Sequence, residues 1–369
     1  LSMTRNHLVM LAAAALYSLH GPSVSADWPT YLHDNSRAGY STEQLALPLD
    51  MRWVYTSPAP PEMAWEGPRD EPFEGLQMRH RVAFDNVLHT VIVEDCAFFG
   101  SSVDNKVYCV DLATGKPRWQ FFTDGPVRLV PTVVAGDQDA GGLASAKVYF
   151  GSDDGYAYCV DAETGTLVWK FRPRPSRLVV NNGRFISQWP IRTGVLVDEG
   201  RAYFGASLLP WRESYLFAVD AETGGTDGDR YFVRRLDNVT MEGPLALLPG
   251  KYLVSTQGRV PPKIFALDDG RSLGSLSGGG GSFVVLTSDS VIHGPGNKTG
   301  WLTASSLDTL ESVASIKDGN AIVVAGDISF VLMDDALVCT NYVERKELWS
   351  SPCRGGLALI LAGDTLFVG

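Results

Sequence analysis

Two arginines stand out among the residues able to do chemistry. Val127-Arg128-Leu129 and Ile191-Arg192-Thr193 each follow a proline, Pro126 and Pro190, and each leads into an apolar run. Guanidinium groups at matched positions can offer paired donors to a carboxylate or a phosphate. The same two groups can instead be structural, bonding carbonyls or an Asp. Arg184, Gln188 and Trp189 lie just ahead of Arg192, in residues 181–192. A long loop on a rigid scaffold is a common place for binding residues; the alternative there is a plain connector. Asp85, Asn86 and His89 hold the corresponding region of the first unit, with no aligned Arg. A lone His of this kind reads as a packed structural residue before it reads as a ligand.

Other constellations are thin. The five cysteines, Cys96, Cys109, Cys159, Cys339 and Cys353, include no adjacent pair, no CxxC and no Cys/His spacing for zinc. Cys109 and Cys159 recur within Tyr-Cys-Val-Asp and read as small buried apolar residues, not bonded to each other. Asp111, Asp161 and Asp220 each precede a Thr-Gly turn, where a carboxylate caps backbone N–H groups. Asp153-Asp154 reads as a solvated turn pair. No catalytic residue and no metal-ligand set emerges.

These residues recur because the chain does. Gly100, Gly151 and Gly205 correspond at spacings of 51 and 54 residues, and Trp119 and Trp169 are 50 apart. Each unit carries short β-branched and aromatic runs broken by Asp/Gly turns, which reads as strands joined by hairpins. Gly155 and Gly165 sit in the two turns of the second unit, and Gly can take positive φ there at little steric cost; Gly115 and Gly165 are matched signature positions of the repeat. With a preceding apolar run, each unit has four strands, and such a unit repeated around a ring is a β-propeller blade. The regular units fall at about 87–122, 127–171 and 191–235. Degenerate ones fill about 245–369, with Trp349 in the outer-strand slot of the sixth. Residues 357–369 start a further unit. Residues 51–55 (MRWVY) look like an outer strand that wants partners from beyond Gly369. The fold class is therefore all-β, a β-propeller of four-stranded antiparallel blades, seven or eight in number, read as incomplete at the C-terminus.

Residues 148–171 (VYFGSDDGYAYCVDAETGTLVWKF) resemble the repeat of PQQ-like, quinoprotein-type β-propellers. Residues 27–41 (DWPTYLHDNSRAGYS) are similar to the opening of secreted members. The resemblance implies that Trp119, Trp169 and Trp349 pack between neighbouring blades. Dehydrogenase members bind pyrroloquinoline quinone in the channel against a ring formed by two adjacent disulfide-bonded Cys, with Ca²⁺ and an Asp base. This chain has no adjacent Cys pair, and no Asp, Glu or Asn aligns with a calcium or base motif. Non-catalytic relatives serve as outer-membrane assembly factors, sensors or binding modules.

Two functions follow as expectations. The first is a non-catalytic binding or scaffold propeller with no cofactor, its target a protein, glycan or small anionic ligand at the channel mouth. The second is part of a quinone-dependent dehydrogenase, with pyrroloquinoline quinone and calcium, or of a larger multidomain protein. Lys plus Arg is 31 against 42 Asp plus Glu, a net charge of −11, which disfavours nucleic acid. No apolar run reaches the ~20 residues of a membrane span. Residues 1–26 read as a signal peptide: Arg5 and His7, the apolar run 8–19, then Val24-Ser25-Ala26 for cleavage after Ala26. The expected location is periplasmic or secreted.

Overall fold

The computed structural model describes residues 27–369 except 66, 68–81, 83, 137–141, 176 and 297–299. The proposed signal peptide lies outside the described residues. Within them the chain is all strand and turn, with no helix, and its sheets form seven blades.

Blade 1 comprises Thr90–Val93, Cys96–Ser101, Lys106–Asp111 and Pro117–Phe122. Blade 2 comprises Thr132–Val134, Lys147–Gly151, Ala157–Asp161 and Leu167–Phe171. Blade 3 comprises Leu196–Asp198, Arg201–Ala206, Ser214–Asp220 and Phe232–Leu236. Blades 4, 5 and 6 repeat the pattern, starting at the inner strands Ala246–Leu248, Phe283–Leu286 and Gly319–Ala325. Each of the six is a four-stranded antiparallel meander in chain order. Blade 7 joins Leu359–Ala362 and Thr365–Val368 to Tyr40–Ser41 from the opposite end of the chain, and that junction is parallel.

Middle strands are buried on both faces, and outer strands alternate. Lys147–Gly151 is buried at four of five positions, whereas Leu167–Phe171 buries only Trp169. The core is therefore a series of inter-blade layers. Phe121 of blade 1 meets Phe150 and Tyr158 of blade 2 edge-on, and Phe171 of blade 2 meets Phe204 and Phe217 of blade 3 in the same way.

Two recurring glycine slots set the blade spacing. A Cβ on Gly151 would lie 2.7 Å from the Ile191 carbonyl oxygen, so the lead-in to blade 3 can press against blade 2 only if that side chain is missing. Gly100 meets Val127 and Gly205 meets Met241 in the same way. Gly165, at φ 71°, lies under the Trp119 ring, whose Nε1–H donates to the Ala162 carbonyl at 2.9 Å. Trp169 repeats this over Gly224 and Ala221, so each Trp clasps the turn of the next blade. Asp111, Asp161 and Asp220 cap those turns, each accepting from the backbone N–H of the Thr three residues on.

Two expectations change here. Residues 51–55 form no strand, yet Trp53 lies over Gly115 and donates to the Leu112 carbonyl at 2.7 Å, completing the same clasp on blade 1. Trp349 keeps the register of its equivalents, opposite Cys339 as Trp169 is opposite Cys159. It is nonetheless 43% exposed and touches Phe330 of its own blade, so it clasps no turn among the described residues.

Residues 27–41 form a belt along the inner strands. Trp28 exchanges two backbone hydrogen bonds with Ile92 of blade 1, and the Pro29 carbonyl accepts from Val133 of blade 2. The Asn35 side chain donates to Val197 of blade 3, while its carbonyl accepts from Leu247 of blade 4. The Ser36 carbonyl accepts from Leu286 of blade 5. Gly39 lies against Val323 of blade 6, and its carbonyl accepts from Leu361 of blade 7. Arg37 is buried at the middle of the belt, donating to the carbonyls of Tyr31, Asp34 and Leu245 and to the Thr30 hydroxyl.

Candidate functional site at the channel mouth

Arg128 and Arg192 each stand four residues ahead of the inner strand of their blade, and Glu242 takes the same slot in blade 4. The residue before each, Val127, Ile191 and Met241, is the one that fills a glycine slot of the previous blade. Close blade packing thus aims three charged side chains at one mouth of the channel.

The two arginines meet the blade 2 turn. Asp153 takes Arg128 Nε at 2.7 Å and Arg192 Nε and Nη2 at 2.8 and 2.9 Å. Arg128 Nη1 also reaches Asp85 at 3.1 Å and the Glu62 carbonyl at 2.5 Å. Arg192 Nη2 donates to Asn181 Oδ1 at 2.8 Å, and its Nη1 stands 3.6 Å from Glu242. The side chains of Asp85, Asp153, Arg192 and Glu242 are wholly buried and that of Arg128 nearly so. Burial alone would raise the Asp153 carboxyl, but the guanidinium groups of Arg192 and Arg128 hold it below the ordinary carboxylate range. The expectation of a solvated Asp153 is therefore corrected: the turn faces the channel, not the solvent. Asp154 keeps a local role, accepting from the Tyr158 hydroxyl and the Tyr156 N–H.

Residues 62–65 cross this cluster as a strap. Ala64 N donates to Asp85 at 2.7 Å, and Trp65 Nε1 donates to Glu242 at 2.6 Å with its ring 5.6 Å from the Arg192 guanidinium. Asn182 holds the Met63 carbonyl. Arg184 pairs with the Glu62 carboxylate and reaches the Val103 carbonyl and Asn105, so it pins the strap to blade 1.

Beside the strap, residues expected to form a connector or a lip make a hairpin, Leu178–Asn181 against Arg184–Ser187. A groove runs between this hairpin and the blade 3 loop at Pro210–Glu213. One half encloses about 330 Å³ and reaches Arg235 and Asp237; the other encloses about 210 Å³ and reaches Trp65 and Val180. Gln188 lines both halves and Trp189 the first, its ring buried against Tyr215 and its Nε1 bonded to the Glu213 carbonyl.

The structure therefore separates the five candidates. Gln188 and Trp189 line the groove, Arg128 and Arg192 lie behind it facing carboxylates, and Arg184 holds the strap. Sequence reasoning missed Glu242, although Met241-Glu242 aligns with Ile191-Arg192. It also missed Trp65 and the groove residue Trp211. His89 is no free ligand: its Nε2 lies 2.6 Å from the Phe84 carbonyl, and burial lowers its pKa. All five cysteines are free thiols.

Residues 103–227 match the family model described as outer membrane protein assembly factor BamB. That stretch runs from blade 1 to blade 3, about a third of the chain. Among solved structures the chain is similar to BamB from Moraxella catarrhalis, with 18% identity, a TM-score of 0.51, and coverage of 73% of this chain and 76% of that one. It is also similar to a europium-containing methanol dehydrogenase (12%, TM-score 0.62, covering 93% and 82%). A third is the quinohemoprotein alcohol dehydrogenase ADHIIG from Pseudomonas putida HK5 (13%, TM-score 0.58, covering 93% and 69%). At these identities the likeness is one of fold. No curated protein sequence matches the chain. Repeat, fold and comparisons together define a seven-bladed β-propeller similar in fold to those of BamB and the quinoprotein dehydrogenases. No helix among the described residues is long and apolar enough to cross a membrane.

Proposed function

We propose that the protein is a non-catalytic binding propeller of the PQQ-like class, acting outside the cytoplasm, with its partner face at the groove beside the channel mouth. One observation carries this reading. The mouth is already filled by the protein's own groups, with Arg128, Arg192, Asp85, Asp153 and Glu242 buried against one another beneath the strap. A ligand entering there would have to unpair buried charges, which costs several kcal/mol per ion. The groove, by contrast, is open and lined by side chains on a rigid scaffold.

The residues do not fit pyrroloquinoline quinone and Ca²⁺. Asp85, Asp153 and Glu242 are engaged by guanidinium, indole or backbone N–H donors, whereas a Ca²⁺ site needs several free oxygens. Among the described residues no group of three His, Cys, Asp or Glu side chains is placed to hold a metal ion. The chain also lacks the adjacent Cys pair.

The test adds pyrroloquinoline quinone and CaCl₂ to the purified protein and records the absorbance spectrum and dye-linked alcohol oxidation. The expected result is no bound-cofactor spectrum and no turnover. A bound spectrum with turnover restores the dehydrogenase reading.

A further inference from the structure

The charges of the groove are unevenly balanced. Arg235 is more than balanced, with Glu213 at 3.7 Å and Asp237 at 3.2 Å. Arg177 and Arg212, which line both halves, are exposed and pair with no carboxylate among the described residues. On a chain of net charge −11, two unpaired guanidinium groups in one groove invert the local sign. Next to them the surface is apolar. Trp211 is 72% exposed and Val180 68%. Phe185, paired with Val180 across the hairpin, is 71% exposed.

The hairpin adds a third feature. It is two-stranded and pairs with no other strand among the described residues. The Ser187 N–H of its second strand is taken by the Asp153 carbonyl, so the edge left open is that of Leu178–Asn181, on the groove side. An open edge takes up an extended chain through main-chain hydrogen bonds, and neighbouring pockets supply side-chain selectivity. The Gln188 N–H holds the Arg177 carbonyl at 2.7 Å, which roots Arg177 at the base of this hairpin.

We infer that the groove receives an extended acidic peptide segment in which a carboxylate side chain stands next to an apolar one. The carboxylate docks between Arg177 and Arg212, the apolar side chain packs against Trp211 and Val180, and the backbone follows the hairpin edge. This rests on the binding reading above and names the partner's chemistry. A polyanion such as nucleic acid fits worse, because the rest of the acidic surface repels it and half of the groove is apolar.

The experiment titrates the full chain against fluorescein-labelled Gly-Asp-Phe-Glu-Val-Gly by anisotropy. One control peptide carries Lys in place of both acids, and another carries Ser in place of both apolar residues. Saturable binding of the parent peptide is expected, weakened at least tenfold by either change and by raising NaCl from 0.05 to 0.5 M. Arg177→Glu with Arg212→Glu, or Trp211→Ala, should weaken the parent peptide about tenfold or more with an unchanged melting temperature, since all three side chains are exposed. No saturable binding of the parent peptide, or equal binding of the Lys peptide, overturns the inference. Equal binding of the Ser peptide overturns the pairing of a carboxylate with an apolar side chain. Parent-peptide binding that is unchanged in every variant would sink the groove itself.

Discussion

The inner strands and the channel mouth are held together by opposite means. The belt, residues 27–41, touches all seven blades mainly through backbone groups, one or two hydrogen bonds at a time. The mouth concentrates two guanidinium groups and three carboxylates from blades 1 to 4 and their lead-ins, then lays a strap across them. A distributed closure has no single weak residue except the one that holds it in shape. A concentrated closure of buried ions depends on each member, because removing one leaves its partners charged, buried and unpaired. The same difference explains why the partner site is proposed beside the mouth: blade edges, the strap and an inserted hairpin meet there, whereas the belt presents mostly satisfied backbone.

The sharpest way to break this contrast is Arg192→Met. It leaves Asp153 with one guanidinium and takes the Arg192 guanidinium away from Glu242, and a loss of about 3–5 kcal/mol in urea unfolding is expected. The double variant Arg192→Met/Asp153→Asn should recover part of that loss, because it removes the stranded charge as well. A loss below about 1 kcal/mol in the single variant would mean that the cluster is not the closure described.

Next in size is Arg37→Met at the belt. It removes the hydrogen bonds that hold the belt's middle turn, leaving carbonyls but no buried carboxylate unpaired, so a loss of about 2 kcal/mol is expected. If this variant proved more costly than Arg192→Met, the distinction between belt and mouth would collapse.

A third effect, of similar size, is on pH dependence. The folded pKa of Asp153 lies below its unfolded value. Its contribution is therefore complete above about pH 4 and is lost only as pH falls through the lower folded value. The mouth should hold at pH 5. His293 of blade 5 behaves differently, because burial lowers its pKa to about 4. Its neutral form is required in the fold, so stability falls as pH drops from about 6.5 toward 4, by roughly 2 kcal/mol at pH 5. Melting curves from pH 7 to 5 should show this slope in the parent and in Asp153→Asn, and a flatter one in His293→Asn.

Much of this molecule was legible from local chemistry. The Asp-to-Thr turn caps, the Trp clasps and the glycine slots recur at a period near 50 because each does the same job within one blade or against the next. Such jobs leave a repeated trace in the chain. The arginine slot was legible too, since Arg128 and Arg192 align. Glu242 was not, because it keeps the position but reverses the charge, and alignment by residue type discards such a member.

The charge partners, the belt's path and the strap belong to a different order. Asp153 looks like any turn acid until two lead-in segments bring guanidinium groups onto it. Trp65 and Glu242 are 177 residues apart and hydrogen-bond only because the ring brings the strap over blade 4. Short-range patterning dictates strands, turns and the closeness of neighbouring blades, since those depend on residues within one repeat. Which charges face each other across a channel depends on ring curvature and on long-range contacts that leave no period in the chain. That geometry turned the candidate arginines inward and left the neighbouring groove open to a partner.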